Sequence, residues 1–255
     1  MKLLFRIFAL LLCICYAKGQ EKEDYSEIEV KYKYTFVQDT LDKSSTINEP
    51  MVLLTNGKKS IYYSENYKAA VDGFGKKLEE AMKTGNIVDP GSLPKSKVKH
   101  NVYKDESKTY ISNYLGRNYY TYESPDKLDW KIDNKSTSTI GGYKCNKAVV
   151  NVGGKKFIAW FTYDIPISDG PYKFRGLPGL ILKINEVNNY IGFELISINK
   201  TSLPIEQKKG LIVSKDQFIT KRKEYMNDPY QGKINNPEYR KMIEDNKRKY
   251  NNSLE

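Results

Sequence analysis

The sequence predicts a mainly β fold, a large antiparallel meander with a few helices packed on it. Three observations point there: a long alternating stretch from Glu27 to Asp39, repeated tight-turn signals such as Asn56-Gly57 and Gly153-Gly154, and strand-to-strand links too short to hold crossover helices. At 255 residues the chain is long enough for one sizeable core and needs no second domain.

The first nineteen residues read differently from the rest. Lys2 and Arg6 precede an apolar run from Ile7 to Ala17, followed by small residues at Ala17 and Gly19, which is the pattern of a secretory signal peptide. The run is about half the length that spans a bilayer. Leu12 precedes Cys13 and Ile14 precedes Cys15, which does not fit a lipoprotein cleavage site, so a secreted chain beginning near Gln20 and forming one domain over 20–255 is expected. Removing the leader takes away Cys13 and Cys15 and leaves Cys145 with no partner for a disulfide. The net charge falls from +11 to +8, because the leader carries Lys2, Arg6 and Lys18 and no acid. Export, with no stacking-aromatic or zinc motif, argues against nucleic acid and leaves a solvated basic face, with affinity for anionic headgroups or a wall polymer as one use of it.

Along the mature chain, Ile28, Val30, Tyr32, Tyr34 and Phe36 alternate with mostly charged residues, giving a half-buried strand. Asn56-Gly57 then sits between two apolar runs, a pair suited to a type I′ hairpin. Between Glu65 and Thr84 the period changes. Tyr67, Ala70, Val71, Phe74, Leu78 and Met82 recur at three- and four-residue steps, the stripe of an amphipathic helix able to cover one face of a sheet. Strand patterns return at "HNVYKD", "KTYISNYL", "NYYTYES" and "DWKID", rich in tyrosine, whose apolar body and polar tip suit a partly solvated sheet. "GYKCNKAVVNVGGKKFIAWF" reads as a hairpin turning at Gly153-Gly154, and "LILKINEVNNYIGFELISINK" as another turning near Val187 to Asn189. The strand "FIAWF" is apolar on both faces and should be covered on both. From about Ser214 the basic tail becomes helical, its second helix signalled by Asn236 as cap, Pro237 at the first position and Glu238 beside the positive end.

The segment "GPYKFRGLPGLILKI" interrupts the strands. Pro178 fixes φ near −65° and Gly179 tolerates positive φ, so Leu177 to Leu180 fits a type II turn, with Gly176 and Gly170-Pro171 as further breaks. Because "LILKI" continues as a strand, this is no phosphate loop opening a helix, and it reads as a structural turn that fixes strand pairing.

Together with Trp130, Gly142-Tyr143-x-Cys145-x-x-Ala148, Ala159-Trp160 and Ile165-Pro166, the run Gly170-Pro171 and Gly176-Leu177-Pro178-Gly179-Leu180 resembles the GLPGLI, or Porph_ging, family of secreted proteins of Gram-negative bacteria. The resemblance implies a periplasmic or outer-membrane-associated envelope protein, often encoded near TonB-dependent transporters. It also implies a curved half-barrel sheet similar to that of periplasmic lipoprotein carriers.

Chemistry has few candidates. His100 is the sole histidine and has no metal-ligand spacing near it, Cys145 reads as a small buried packing residue, and Asp164, Asp169 and Glu186 flank the motif with nothing to fix their separation. No metal or organic cofactor and no catalytic group is expected. The reading is non-catalytic binding of an apolar or peptide-like ligand, in a groove between the sheet and the helix at Glu65 to Thr84, with Trp130, Tyr143, Trp160 and Leu177 as candidate walls. Docking on an outer-membrane transporter, by a strand edge or the basic tail, is the other reading, ahead of a hydrolase with a carboxylate or Cys site. Asp39-Thr40-Leu41 resembles a D-[S/T]-aliphatic O-glycosylation signal, which makes Thr40 a candidate for modification.

Overall fold

The computed structural model describes residues 24–234 and 236–254; the signal-peptide reading of residues 1–19, with Cys13 and Cys15, lies outside them. Among the described residues the fold is mainly β, an open curved sheet of twelve strands with three helices. Two meanders build it. The first comprises β1 (Ile28–Asp39), β2 (Asp42–Thr55), β3 (Ser60–Ser64), β4 (Asn101–Lys104), β5 (Thr109–Leu115) and β6 (Asn118–Glu123). The second comprises β7 (Lys131–Ile140), β8 (Tyr143–Val152), β9 (Lys155–Thr162), β10 (Leu180–Glu186) and β11 (Ile191–Lys200). They join where β1 pairs antiparallel with β11, and the short β12 (Leu211–Ile212) adds parallel to β6 at the far edge.

The β1–β11 seam is held by cross-strand pairs of the two inward faces. Tyr34 opposes Phe193 with ring centroids 4.8 Å apart in a stacked arrangement, a contact worth about 0.5–1.5 kcal/mol beyond its buried area. Alternation decides which residues face the core: Val30, Tyr32 and Tyr34 are buried on one side of β1, while Lys31 points to the other and pairs with Glu65 at 2.5 Å.

The β8–β9 connection follows its sequence signal, since Gly153 and Gly154 both take positive φ in a two-residue turn. The Asn56-Gly57 link does not form the expected type I′ turn. Four residues separate β2 from β3, and only Gly57 has positive φ, because the Asn56 side chain accepts from the Lys58 and Lys59 amides and stabilises a wider loop.

The first helix, α1 (Glu65–Thr84), begins at the end of β3 with no linker. Ser64 caps it by accepting from the Tyr67 amide, and Gly85 ends it in the left-handed region. The tail forms α2 (Lys215–Asn227), with a Ser214–Gln217 capping box, and α3 (Pro237–Lys249), capped by Asn236 as its sequence indicates. Each buries one residue, Phe218 in α2 and Ile243 in α3. Among the described residues no helix is long and apolar enough to cross a membrane.

Candidate functional site

After β9 the chain leaves the sheet and residues 165–179 fold into its concave side. Ile167 and Asp169 donate backwards to Ile165 and Ile167, Leu180 donates to Ile165 and Ile181 donates to Asp169, each at 2.8–3.0 Å, which closes the loop at its base. Residues Asp169 to Phe174 are all buried. Phe174 sits among the rings of Trp130, Phe157 and Phe193, and the Tyr32 hydroxyl donates to the Ile181 carbonyl at 2.8 Å.

Arg175 shows how strongly the sheet curls around this loop. Its carbonyl accepts from Trp130 Nε1 at 2.8 Å, just before β7, while its guanidinium donates to the carbonyls of Asp105 and Glu106 beyond β4. In the sheet order β4 and β7 stand eight places apart, about 38 Å if the sheet were flat at the usual strand spacing. One residue bridges them, so the sheet nearly closes on its own motif.

Two ionic clusters pin the loop. Lys104, buried on β4, pairs with Asp169 and donates to the Gly170 carbonyl at 2.7 Å. Burial pushes the Lys104 ammonium below its usual range, partly offset by Asp169. Asp126 accepts from Lys173 at 2.6 Å and from Lys215 of α2 at 3.0 Å. Burial alone would raise the Asp126 carboxyl, but the hydrogen bonds and charges of the two lysines outweigh it and hold it at about 2.

The type II turn expected at Leu177 to Leu180 is not formed. Positive φ falls on Gly176, at 94°, and Gly179 is outside the left-handed region. Leu180 donates to Ile165 instead of Leu177. Gly179 is needed for a different reason: a Cβ there would lie 2.0 Å from the Thr162 carbonyl oxygen, so backbone meets backbone with no room for a side chain.

The sequence-predicted residues therefore divide. Leu177 is core, 1 % exposed, and Trp130 is half-buried against Phe174. Tyr143 and Trp160 are half-buried, Trp160 standing in register between Lys147 and Lys183 on the face opposite Phe157, Ala159 and Phe161. None of the four lines any of the five cavities described; all four belong to or pack against the main core. The expectation that "FIAWF" is covered on both faces holds only for the core side. Thr40 lies at the β1–β2 turn, where its amide and hydroxyl both donate to Asn251 Oδ1 at 3.0 Å.

Asp164 is exposed, and the other groups that suggested chemistry sit in structural settings. Asp169 is in the buried ion pair, and Glu186 accepts from Asn188 and from the Tyr190 amide to shape the β10–β11 turn. Cys145 is a buried free thiol that burial pushes up to about 11, which keeps it protonated at neutral pH. His100 precedes β4, seven places from the Cys145 strand in the sheet order, and lies edge-on to Tyr172. Among the described residues no cluster of His, Cys, Asp or Glu could hold a metal ion.

A groove lies on the convex face between the sheet and α1, and its walls are not the four residues expected to form them. It measures about 400 Å³, within the range of small-ligand sites. Leu54 and Ile61 form its floor, Tyr67 and Val71 of α1 one side, Leu203 and Pro204 the other, and Tyr114 and Tyr119 one end. Burial, with Glu29 and Glu65 nearby, pushes the flanking Tyr63 phenol up to about 12, so it remains a neutral donor. Asn101 donates to the Tyr119 hydroxyl, but its Oδ1 is buried beside the groove with no hydrogen-bond partner. α1 buries no residue; Val71, Phe74 and Leu78 stay more than two-fifths exposed. These walls were readable only as helix stripe and strand, because the residues that meet in the groove are up to 154 positions apart in the chain.

Solved structures of PNGF-II in two crystal forms are similar to the chain, at TM-scores of 0.54 and 0.51 with 17% and 18% identity, covering 78% of this chain in each case and 33% and 32% of theirs. This chain thus spans about a third of that protein, and the likeness shows the fold alone. MucB, solved in complex with MucA(peri), reaches a TM-score of only 0.35 at 12% identity, covering 74% of this chain and 57% of that one, a score that does not establish a shared fold. No curated protein matches the chain. The Porph_ging family model, described as a protein of unknown function, matches residues 151–183, so the segment that fills the concave core is also the one that carries the family likeness.

Proposed function

We propose that the protein acts without catalysis, holding an apolar or peptide-like ligand in the groove between α1 and the convex face of β2–β5. The observation that carries this reading is a groove of about 400 Å³ with apolar and tyrosine walls, bounded by a helix whose stripe is left half-exposed. A peptide-like ligand suits it better than a bare hydrocarbon, since Tyr63, Lys68, Asp72 and Glu206 among its lining residues can hydrogen-bond peptide groups. Support of the outer membrane, from the periplasm or its edge, is the setting in which we place this binding.

Native mass spectrometry of the chain purified gently from its own host tests the reading. Extra mass that leaves on denaturation, with at least one bound species lost from a Val71→Lys variant, is the expected result. A bare wild-type chain, or a ligand retained in full by Val71→Lys, overturns it.

A further inference from the structure

The convex groove does not account for a second cavity, on the opposite face of the sheet. It lies between the concave side of β1, β2, β5 and β6, helix α2 and residues 252–254, and measures about 360 Å³. Its apolar lining includes Tyr34, Phe36, Ile111, Phe218, Met226 and Leu254. Its charged side chains are Lys97, Lys99 and Arg222, with His100 beside them and no carboxylate at all. The convex groove, in contrast, is lined by both Asp72 and Glu206. Lys97 and Lys99 are exposed and make no ion pair among the described residues, so two cations stand at the mouth of an apolar cavity that no carboxylate lines; Lys99 stands at the rim shared with the convex groove, and Lys97 lines this cavity and not that groove.

The wall beside α2 is a tethered strap. The Asn252 side chain, 5 % exposed as a residue, donates to the Val37 carbonyl at 2.8 Å and accepts from Lys155 at 2.7 Å, while Arg222 donates to Ser253 Oγ at 2.6 Å. These bonds hold Leu254 against the apolar core.

We infer that this cavity is a second binding site, for a single-chain amphiphile with an anionic head: the chain lies along the aromatic and aliphatic lining, the head sits by Lys97 and Lys99, and the 252–254 strap closes over it. Apolar burial supplies the affinity and the exposed lysines select the sign of the head, because screened ion pairs add little energy but oppose the wrong charge.

Titration calorimetry of the full chain with oleate and with oleyl alcohol, both below aggregation, tests this. Oleate is expected to bind at least about fivefold more tightly than the alcohol, the effect of two solvent-screened charge contacts. A Lys97→Gln/Lys99→Gln double variant, altering two exposed side chains, should erase that preference. Met226→Trp, which fills this cavity alone, should weaken both ligands, while Val71→Lys in the convex groove should change neither. No oleate binding, equal binding of acid and alcohol by the unaltered chain, a preference that survives in the double variant, or loss in Val71→Lys without loss in Met226→Trp would each overturn the proposal.

Discussion

The two faces of the sheet contrast in how their apolar surface is covered. On the concave side the chain supplies its own filling: residues 165–179 enter the curl, their charges meet Lys104 and Asp126, and Phe174 and Leu177 are fully buried. On the convex side α1 lies across β2 and β3 yet buries none of its residues, and the groove beneath it stays open. The difference teaches that a family motif and an open groove need not coincide. The motif here determines how the sheet closes, and the unfilled groove is formed by residues that carry no motif.

The largest break in this contrast should come from Asp169→Leu. It leaves Lys104 buried without its partner and should destabilise the fold by about 3–5 kcal/mol, whereas Lys104→Met combined with Asp169→Leu should recover most of that loss. Urea denaturation of the unaltered chain and the two variants measures it; equal loss in the single and the double would mean that the pair is not what holds the loop.

Next in size, Gly179→Ala should cost about 1–3 kcal/mol, because its Cβ would overlap the Thr162 carbonyl and no rotamer can relieve a backbone clash. Gly75→Ala on α1 should do the opposite, stabilising by roughly 0.5–1 kcal/mol, since a Cβ there meets nothing within 4 Å and the residue is helical. If both substitutions shifted the melting curve the same way, the assignment of a tight concave loop and a loose convex helix would fail.

Acid should act on the concave side through Asp126. Its carboxyl is held at about 2, below the ordinary 3.8, so its contribution is present in full above about pH 5 and disappears as pH falls through 2. The loss attributable to this group is about 2 kcal/mol. Comparing stability at pH 6 and pH 2 for the unaltered chain and Asp126→Asn should show a smaller acid dependence in the variant; identical slopes would dismiss the Lys173–Asp126–Lys215 cluster as a source of stability.

Much of the strand order along the chain was legible because alternation and tight turns are local. The stretch Glu27 to Asp39, the Gly153-Gly154 turn, the helix at Glu65 to Thr84 and the Asn236-Pro237 start of α3 are each written within a few residues. β12 was missed, being two exposed residues that pair only through β6. The type II turn was misread since a Pro-Gly pair states what a backbone can do, while the Thr162 carbonyl at its side decided which conformation it takes. The residues that line the groove beneath α1 were not legible: Trp130, Tyr143, Trp160 and Leu177 are large and apolar, and size alone does not tell a core side chain from a groove side chain.

By itself the sequence determined the elements, because hydrophobic period and turn chemistry act between near neighbours. It also determined the family likeness through the 151–183 segment. Only the tertiary structure decided that β1 pairs with β11, that Arg175 bridges the ends of a curled sheet, and that the motif packs into the concave side of the sheet while α1 buries none of its own residues on the convex side. Those outcomes depend on contacts between residues far apart in the chain, set by sheet curvature and by which buried charges find partners, and no local pattern encodes either.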